Sequence, residues 1–424
     1  MKTLIKVAAA LALAGSSTAA LAQTTVIHAG RVIADASADP TGPATITVTD
    51  GRIVSIADGL APAPAGSQLV DLTDSTVLPG LIDLHVHLTG DPDDQFWQGA
   101  VDPEEWGVVV GAKNALLTAR AGFTTVREAG SAGQTAFVLR RGTAEGMIPG
   151  PRILAAGMPL SIVGGHGDTS GFRPDVTELL ANPFTCTGPV QCAEKVRLAS
   201  RTGSDVIKIT ATGGVLSQQG RGLEAHFTDD EMESIADTAH SLGLKVMAHA
   251  HGARGIEAAS AAGIDTIEHG TFLDRQAADA MIANGTVLVP TLMAFKGVNE
   301  RLGTGLYTPV VEDKIRAVYE TAQTFMGNAV RWGVPVAFGT DAGVFDHGRN
   351  GEEFALMVAQ GMSPRDALAS ATTVAARVLD MESEIGRLAP GYSADIIAVT
   401  GNPLEDVRVL ENPGFVMVRG RIVE

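Results

Sequence analysis

The chain has 424 residues, too many for one small domain, so a large core with a minor domain is expected. Hydrophobic residues make up 45% and charged residues 19%, a balance that excludes an extended disordered protein. Thirty-one basic against 48 acidic residues give a formal charge of −17, which disfavours nucleic acid or an anionic membrane as partner.

Read in chain order, the N-terminus has the pattern of an export signal. Lys2 and Lys6 precede an apolar run from Val7 to Ala14, then small residues and Ala20-Leu21-Ala22 before Gln23. The run is shorter than the roughly 20 apolar residues that span a bilayer. Residues 1–22 are therefore expected to be removed, leaving a charge of 29 − 48 = −19 and a periplasmic or secreted protein with no membrane partner in its mature form. Export also changes how Cys186 and Cys192 read. In an oxidising compartment, two cysteines this close are expected to close a small disulfide loop.

Residues 23–80 are β-rich. Short apolar runs include Thr25–His28, Arg31–Ile33, Ala44–Val48 and Arg52–Ile56, with Asp50-Gly51 between the last two marking a hairpin. Val70–Leu72 and Thr76–Leu78 follow, up to Pro79-Gly80. Residues 385–424 have the same character at Ala394–Val399, Phe415–Val418 and Arg419–Val423. Neither end offers enough strands alone, so one small β-sandwich built from both is expected. Between them, residues 81–384 alternate short apolar strands with helical stretches such as Asp229–Leu242 and Glu312–Trp332. The strand candidates are Leu81–Leu88, Thr124–Glu128, Arg152–Ala156, Asp205–Thr210, Lys245–His249, Thr266–His269, Val287–Pro290 and Val334–Gly339. Parallel β/α units of that number make a (β/α)8 TIM barrel, an α/β fold. A doubly wound sheet is disfavoured, because no Gly-x-Gly-x-x-Gly follows the first strand.

Polar residues gather at the C-terminal ends of these strands, where barrel sites lie. His85 and His87, two apart on the first strand, share a face. Lys208 sits in the fourth strand, His249 ends the fifth, His269 ends the sixth, and Asp341 follows the eighth. Each has a plain structural reading; His-x-His alone is weak evidence, and an Asp after a strand is often a helix cap. The combination of four imidazoles, a carboxylate and a lysine on one rim points instead to Zn²⁺ or a similar divalent ion. Lys208 is either a buried amine paired with a carboxylate such as Glu128, or an amine carboxylated by CO₂.

The motifs PGLIDLHVHL at 79–88, VIKIT at 206–210, AHAHG at 248–252, IEHG at 267–270 and FGTDAG at 338–343 together resemble the binuclear form of the amidohydrolase superfamily. The resemblance covers essentially the whole mature chain, and GGHGD at 164–168 with TATGGVLS at 210–217 narrows it. These two are similar to the branch of metal-dependent carboxypeptidases, Xaa-Pro dipeptidases and ochratoxin-hydrolysing amidohydrolases. The resemblance implies two divalent cations. His85, His87 and Asp341 would hold the more buried one, His249 and His269 the other, and carboxylated Lys208 would bridge them.

With those ligands, a water acidified between the cations is expected to attack an amide carbon, with Asp341 carrying its proton to the leaving nitrogen. His251, two residues beyond His249, and His166, in a Gly-rich loop, are candidate substrate contacts, or else orient the metal ligands. Arg221 is a candidate anchor for a substrate carboxylate. The expected partner is a small amide or dipeptide ending in an apolar residue, ochratoxin A among them, and the chain is expected to form a homo-oligomer. Other readings are a lactonase or cyclic-amide hydrolase, a deaminase, for which the bridging lysine would be out of place, or a metal-binding scaffold without catalysis.

Overall fold

The computed structural model describes residues 24–220 and 222–424, so the segment expected to be an export signal and the candidate anchor Arg221 lie outside the described residues. Both ends of the described chain combine in one mixed sheet of seven strands. Its order is Arg421–Ile422, Phe415–Val418, Ile396–Val399, Gln68–Pro79, Thr24–Val32, Ala44–Thr49 and Arg52–Asp58. The Asp50-Gly51 turn has both residues at positive φ (50° and 77°), the geometry of a tight hairpin. Hydrogen bonding runs unbroken through this sheet. Its two halves are joined by the 12-residue strand Gln68–Pro79, which pairs along most of its length with Thr24–Val32 and through its last residues with Ile396–Val399.

Alternation along these strands explains how the sheet joins the rest of the molecule. Val77, Ile396, Ala398 and Met417 face a small core with Ile27, Ile46 and Ile53. Their neighbours Leu78, Ile397, Val399, Val416 and Val418 face the opposite way, into the main core shared with the barrel. Period-two geometry thus lets one sheet serve two cores.

Seven parallel strands build most of the barrel: Leu81–Val86, Phe123–Glu128, Arg152–Ala155, Ile207–Thr210, Val246–Ala250, Thr266–His269 and Val287–Val289. Between the third and fourth, the ladder continues through Leu160, whose N–H donates to Lys208 O (2.8 Å) and whose carbonyl accepts from Thr210 N (3.0 Å). The eighth segment is thinner than a full strand. Leu288 N donates to Pro335 O (2.8 Å) and Ala337 N to Leu288 O (2.9 Å), while Leu84 N bonds Phe338 O (3.1 Å) and Asp341 N bonds His85 O (2.7 Å). Pro335 has no N–H to give, and the neighbouring strand is only three residues long. These bonds nevertheless close the cylinder onto its first strand.

Helices lie between the strands. Asp229–Ser241 starts in a capping box, with Thr228 Oγ1 accepting from Glu231 N and Glu231 Oε2 accepting from Thr228 N. The stretch expected as one helix over 312–332 is two, Pro309–Ala322 and Phe325–Trp332, broken where Thr324 takes φ −139°. Cys186 and Cys192 are joined, tying the short strand Thr185–Cys186 to the start of helix Pro189–Thr202. Among the described residues no helix is long and apolar enough to cross a membrane.

Candidate functional site

Five strand ends converge on one rim. The donor atoms of His85, His87 and Asp341 lie within 4.8 Å of one another, and so do those of His249, His251 and His269. Asp341 Oδ1 sits 3.4 Å from His85 Nε2 and 3.3 Å from His87 Nε2. The His85 and His269 rings, one from each trio, have centroids 5.1 Å apart. Lys208 Nζ reaches within 3.5 Å of His85 Nε2. The sequence-derived set of His85, His87, Lys208, His249, His269 and Asp341 is therefore assembled in one place, and His251 joins the second trio as closely as its members join each other.

Each imidazole is held from behind, which decides the nitrogen it offers. His85 Nδ1 donates to Glu268 Oε2 (2.7 Å) and His87 Nδ1 to the Gly130 carbonyl (2.8 Å), leaving both Nε2 lone pairs towards Asp341. His249 Nε2 donates to Gly213 O (3.1 Å), freeing Nδ1. His269 Nδ1 pairs with the Thr291 hydroxyl (2.8 Å) and His251 Nδ1 with the Thr271 hydroxyl (2.7 Å). Burial holds His85, His249 and His269 well below the usual imidazole range, with the charge of Lys208 acting in the same direction. These rings are neutral, the form that binds a cation.

Glu268 and Arg127 are the functional pair that sequence reasoning missed. Arg127, 2% exposed, donates Nη2 to Glu268 Oε1 (2.9 Å) and Nε to Leu84 O (2.7 Å). It thereby fixes the carboxylate that orients His85. The available signal was a charged residue on each of two otherwise uncharged strand segments, Phe123–Val126 before Arg127 and Thr266–Ile267 before Glu268. A second buried network was also missed. Asp83 accepts from His85 N and Thr340 N (both 3.1 Å), from the Thr340 hydroxyl (2.6 Å) and from Asn350 Nδ2 (2.9 Å). It locks the first strand to the turn that carries Asp341.

Lys208 makes no ion pair with Glu128 within 4.0 Å among the described residues, so that structural alternative lacks its contact. Glu128 is fully buried, neither of its oxygens has a hydrogen-bond partner, and burial pushes its carboxyl up to about 8. Burial lowers the Lys208 amine from its ordinary range, opposed by Glu268 and Asp341, and raises the Asp341 carboxyl, opposed by Lys208.

The residues fit divalent cations on the structure's own terms. Asp341 Oδ1 is a buried carboxylate oxygen with no hydrogen-bond donor, although it faces two imidazole nitrogens. Such an atom is costly unless a proton or a cation meets it. The donor set of imidazoles and a carboxylate suits zinc and similar ions.

Above these groups lies a cavity of about 450 Å³ walled on its apolar side by Met158, Val215, Leu216, Phe295, Val298 and Val344. His166 and His251 both line it. The His166 ring centroid is 4.3 Å from that of His249, and its buried Nδ1 has no partner.

Comparison with known proteins agrees with this geometry. Residues 76–423 match the amidohydrolase family. An ochratoxinase from Aspergillus niger is 31% identical over 420 residues, covering 92% of this chain and 84% of that protein. Among solved structures, a Xaa-Pro dipeptidase with methionine bound in its active site superimposes with a TM-score of 0.87 at 38% identity, covering 94% of this chain and 99% of the other. A prolidase in complex with N-methylphosphonate-L-proline gives 0.86 at 30% identity, covering 95% and 100%. With two clusters of metal donors on the rim of its barrel, this chain belongs to the amidohydrolase family and is a metal-dependent hydrolase of amide C–N bonds.

Proposed function

We propose that this enzyme uses two zinc ions, bridged by a carboxylated Lys208, to release an apolar C-terminal amino acid from dipeptides, N-acyl amino acids and amides such as ochratoxin A. The observation that carries the reading is the juxtaposition of two donor trios with an apolar cavity directly above them. The dipeptidase and prolidase structures and the ochratoxinase sequence support the same substrate class.

Bound dications supply Lewis acidity, which lowers the pKa of water and polarises a carbonyl. His85 and His87 would hold one ion with Asp341, and His249 and His269 would hold the other. The lowered pKa of the buried Lys208 supports carboxylation, because the neutral amine is the form that attacks CO₂, and it loses a proton as the carbamate forms. Asp341 takes the proton of the attacking water on its carboxylate and returns it to the leaving nitrogen. His166 and His251 border the cavity and contact the substrate from the side of His249. The apolar wall excludes water and accepts the released side chain. We also propose that residues 1–22 are removed on export, so that the mature chain begins at Gln23; the joined cysteines support that compartment.

The test is a screen of zinc-loaded enzyme against N-acyl amino acids, dipeptides and ochratoxin A, reading amino-acid release, with metal content by elemental analysis. Release of phenylalanine, leucine or proline with two zinc ions per chain is the expected result. No release from any of them would reject the reading. N-terminal sequencing of the enzyme purified from its native host checks the export proposal.

A further inference from the structure

The loop that follows the fourth barrel strand forms one wall of the cavity, yet residues 213–220 contain neither helix nor strand. Val215 and Leu216 line the cavity from it. The Gly213 carbonyl accepts from His249 Nε2. Gly214 lies so close to His166 that an added Cβ would sit 2.2 Å from the ring's Cε1. The placement of this loop therefore sets the apolar wall and the seat of His166 together. Gly213 N is tied to Glu224 O (3.0 Å), but beyond it residues 214–220 have no ladder among the described residues to fix their shape.

Support comes instead from helix Pro309–Ala322, about a hundred residues further along the chain. Lys314 Nζ donates to Gly214 O (2.8 Å), Ser217 O (2.5 Å), Gln219 O (3.2 Å) and Ser217 Oγ (3.3 Å). Thr308, at the start of the same helix, donates its hydroxyl to Gln218 Oε1 (2.7 Å), and Gln219 Nε2 reaches Gly165 O (3.3 Å). Lys314 is half-buried, and no ion pair to it is found among the described residues. Its charge is directed at three main-chain carbonyls of one short loop. Charge-assisted hydrogen bonds to several carbonyls are stronger than neutral ones.

We propose that Lys314 is the positioning residue that sets the enzyme's preference for a large apolar side chain, by holding Val215 and Leu216 in the cavity wall. Lys314 touches neither the metal donors nor the reacting bond. It acts through the loop, on substrate binding rather than on the chemical step. The inference rests on the proposed amide-hydrolase reading only for its choice of substrates.

The experiment compares the wild-type holoenzyme with Lys314→Met, which keeps the stem and removes the donors, and Lys314→Arg, which keeps charge and donors. For each, kcat and KM are measured on N-acetyl-phenylalanine and N-acetyl-glycine, together with zinc content and amide hydrogen exchange over 213–220. In Lys314→Met, zinc content should be unchanged and KM for the phenylalanine substrate should rise about tenfold with little change in kcat. The preference for phenylalanine over glycine should shrink. Exchange of the 213–220 amides should speed up about tenfold, in keeping with lost hydrogen bonds. Lys314→Arg should restore much of both. Unchanged KM and unchanged exchange in Lys314→Met would overturn the proposal, and so would loss of zinc with a fall in kcat at constant KM. If the wild type released no amino acid at all, the substrate reading would fall, and the exchange arm would still decide whether Lys314 holds the loop.

Discussion

Replacing Glu268 by glutamine probes how the site holds its first imidazole. The carboxylate is fully buried and acts only as an acceptor. Oε2 takes His85 Nδ1 at 2.7 Å, and Oε1 takes Arg127 Nη2 at 2.9 Å and the Thr266 hydroxyl at 2.5 Å. Glutamine keeps the shape but offers one accepting oxygen and one donating NH₂. Arg127 can only donate, so it retains the oxygen and the NH₂ turns towards His85. The imidazole must then accept at Nδ1 and carry its proton on Nε2, the nitrogen 3.4 Å from Asp341 Oδ1, where a protonated ring cannot ligate. Losing such an outer partner costs about 10–100-fold in metal affinity, roughly 1.4–2.7 kcal/mol. Arg127 is also left buried without its counter-charge, a loss of about 3–5 kcal/mol from a folding stability on the order of 5–15 kcal/mol. The assays are competition with a zinc chelator and urea unfolding of the metal-free protein. Thr266→Val serves as control: it leaves the ion pair intact, removes the hydroxyl that accepts from Arg127 Nη1, and should cost about 1–3 kcal/mol without loss of metal. A Glu268→Gln protein that resists the chelator and unfolds at the wild-type urea midpoint would refute the reasoning.

Asp341→Asn keeps an oxygen for the cation but cannot carry a proton, so kcat should fall about 10²–10⁴-fold while elemental analysis finds most of the metal still bound. Asn350→Ala removes the Nδ2 that donates to Asp83 Oδ2 and Thr340 Oγ1, leaving a buried carboxylate short of a donor. It should lower stability by about 1–3 kcal/mol in urea titrations. Replacing Cys186 and Cys192 together by alanine opens a loop of six-residue separation and should cost roughly 2 kcal/mol by loop entropy, read as a lower thermal midpoint with kcat retained.

Much of the barrel and its rim was legible because parallel β/α units put the ends of their strands on one face, whatever lies between them. His85 and His87 could be read as neighbours from a spacing of two, and His249, His269 and Asp341 from their places at strand ends. The partners behind the ligands were harder to see. Glu268 stands beside His269 in sequence, yet it serves His85, which is 183 residues away, and one strand's pattern does not say which strand will lie opposite. Lys314 sits in the charged stretch Glu312-Asp313-Lys314, which reads as a solvated helix face; only the fold brings its stem over the loop after the fourth strand. Pro335 was visible in the eighth segment, but its lost N–H showed as a thinned ladder only once the three-residue neighbour was known. The terminal strands were found as short runs. Their fusion into longer ones depended on pairing, of Thr24–Val32 with Gln68–Pro79 and of the end of Gln68–Pro79 with Ile396–Val399 from the other end of the chain.

The site also carries backbone strain, and the buried carboxylates show how the fold absorbs it. His269, Thr291 and Asp341 all take positive φ (70°, 49° and 64°), each at or just past the C-terminal end of a barrel strand. A non-glycine residue there costs on the order of 1–3 kcal/mol, and it turns the chain sharply while keeping its side chain near the barrel axis. Two buried acids brace these turns without facing the cavity. Asp83 binds the main chain and hydroxyl of Thr340, next to Asp341. Glu353 accepts from Leu292 N (2.8 Å) and Met293 N (2.6 Å), the first amides of the helix that begins after Thr291. Thr291 in turn meets His269 Nδ1, so Glu353 bears on a metal donor through one strained residue and one hydroxyl. Neither acid could relax into solvent if its turn straightened, because both are fully buried. The cost of exposing an unpaired carboxylate to the core thus opposes the release of strain, and this holds the donor atoms in place before any cation arrives.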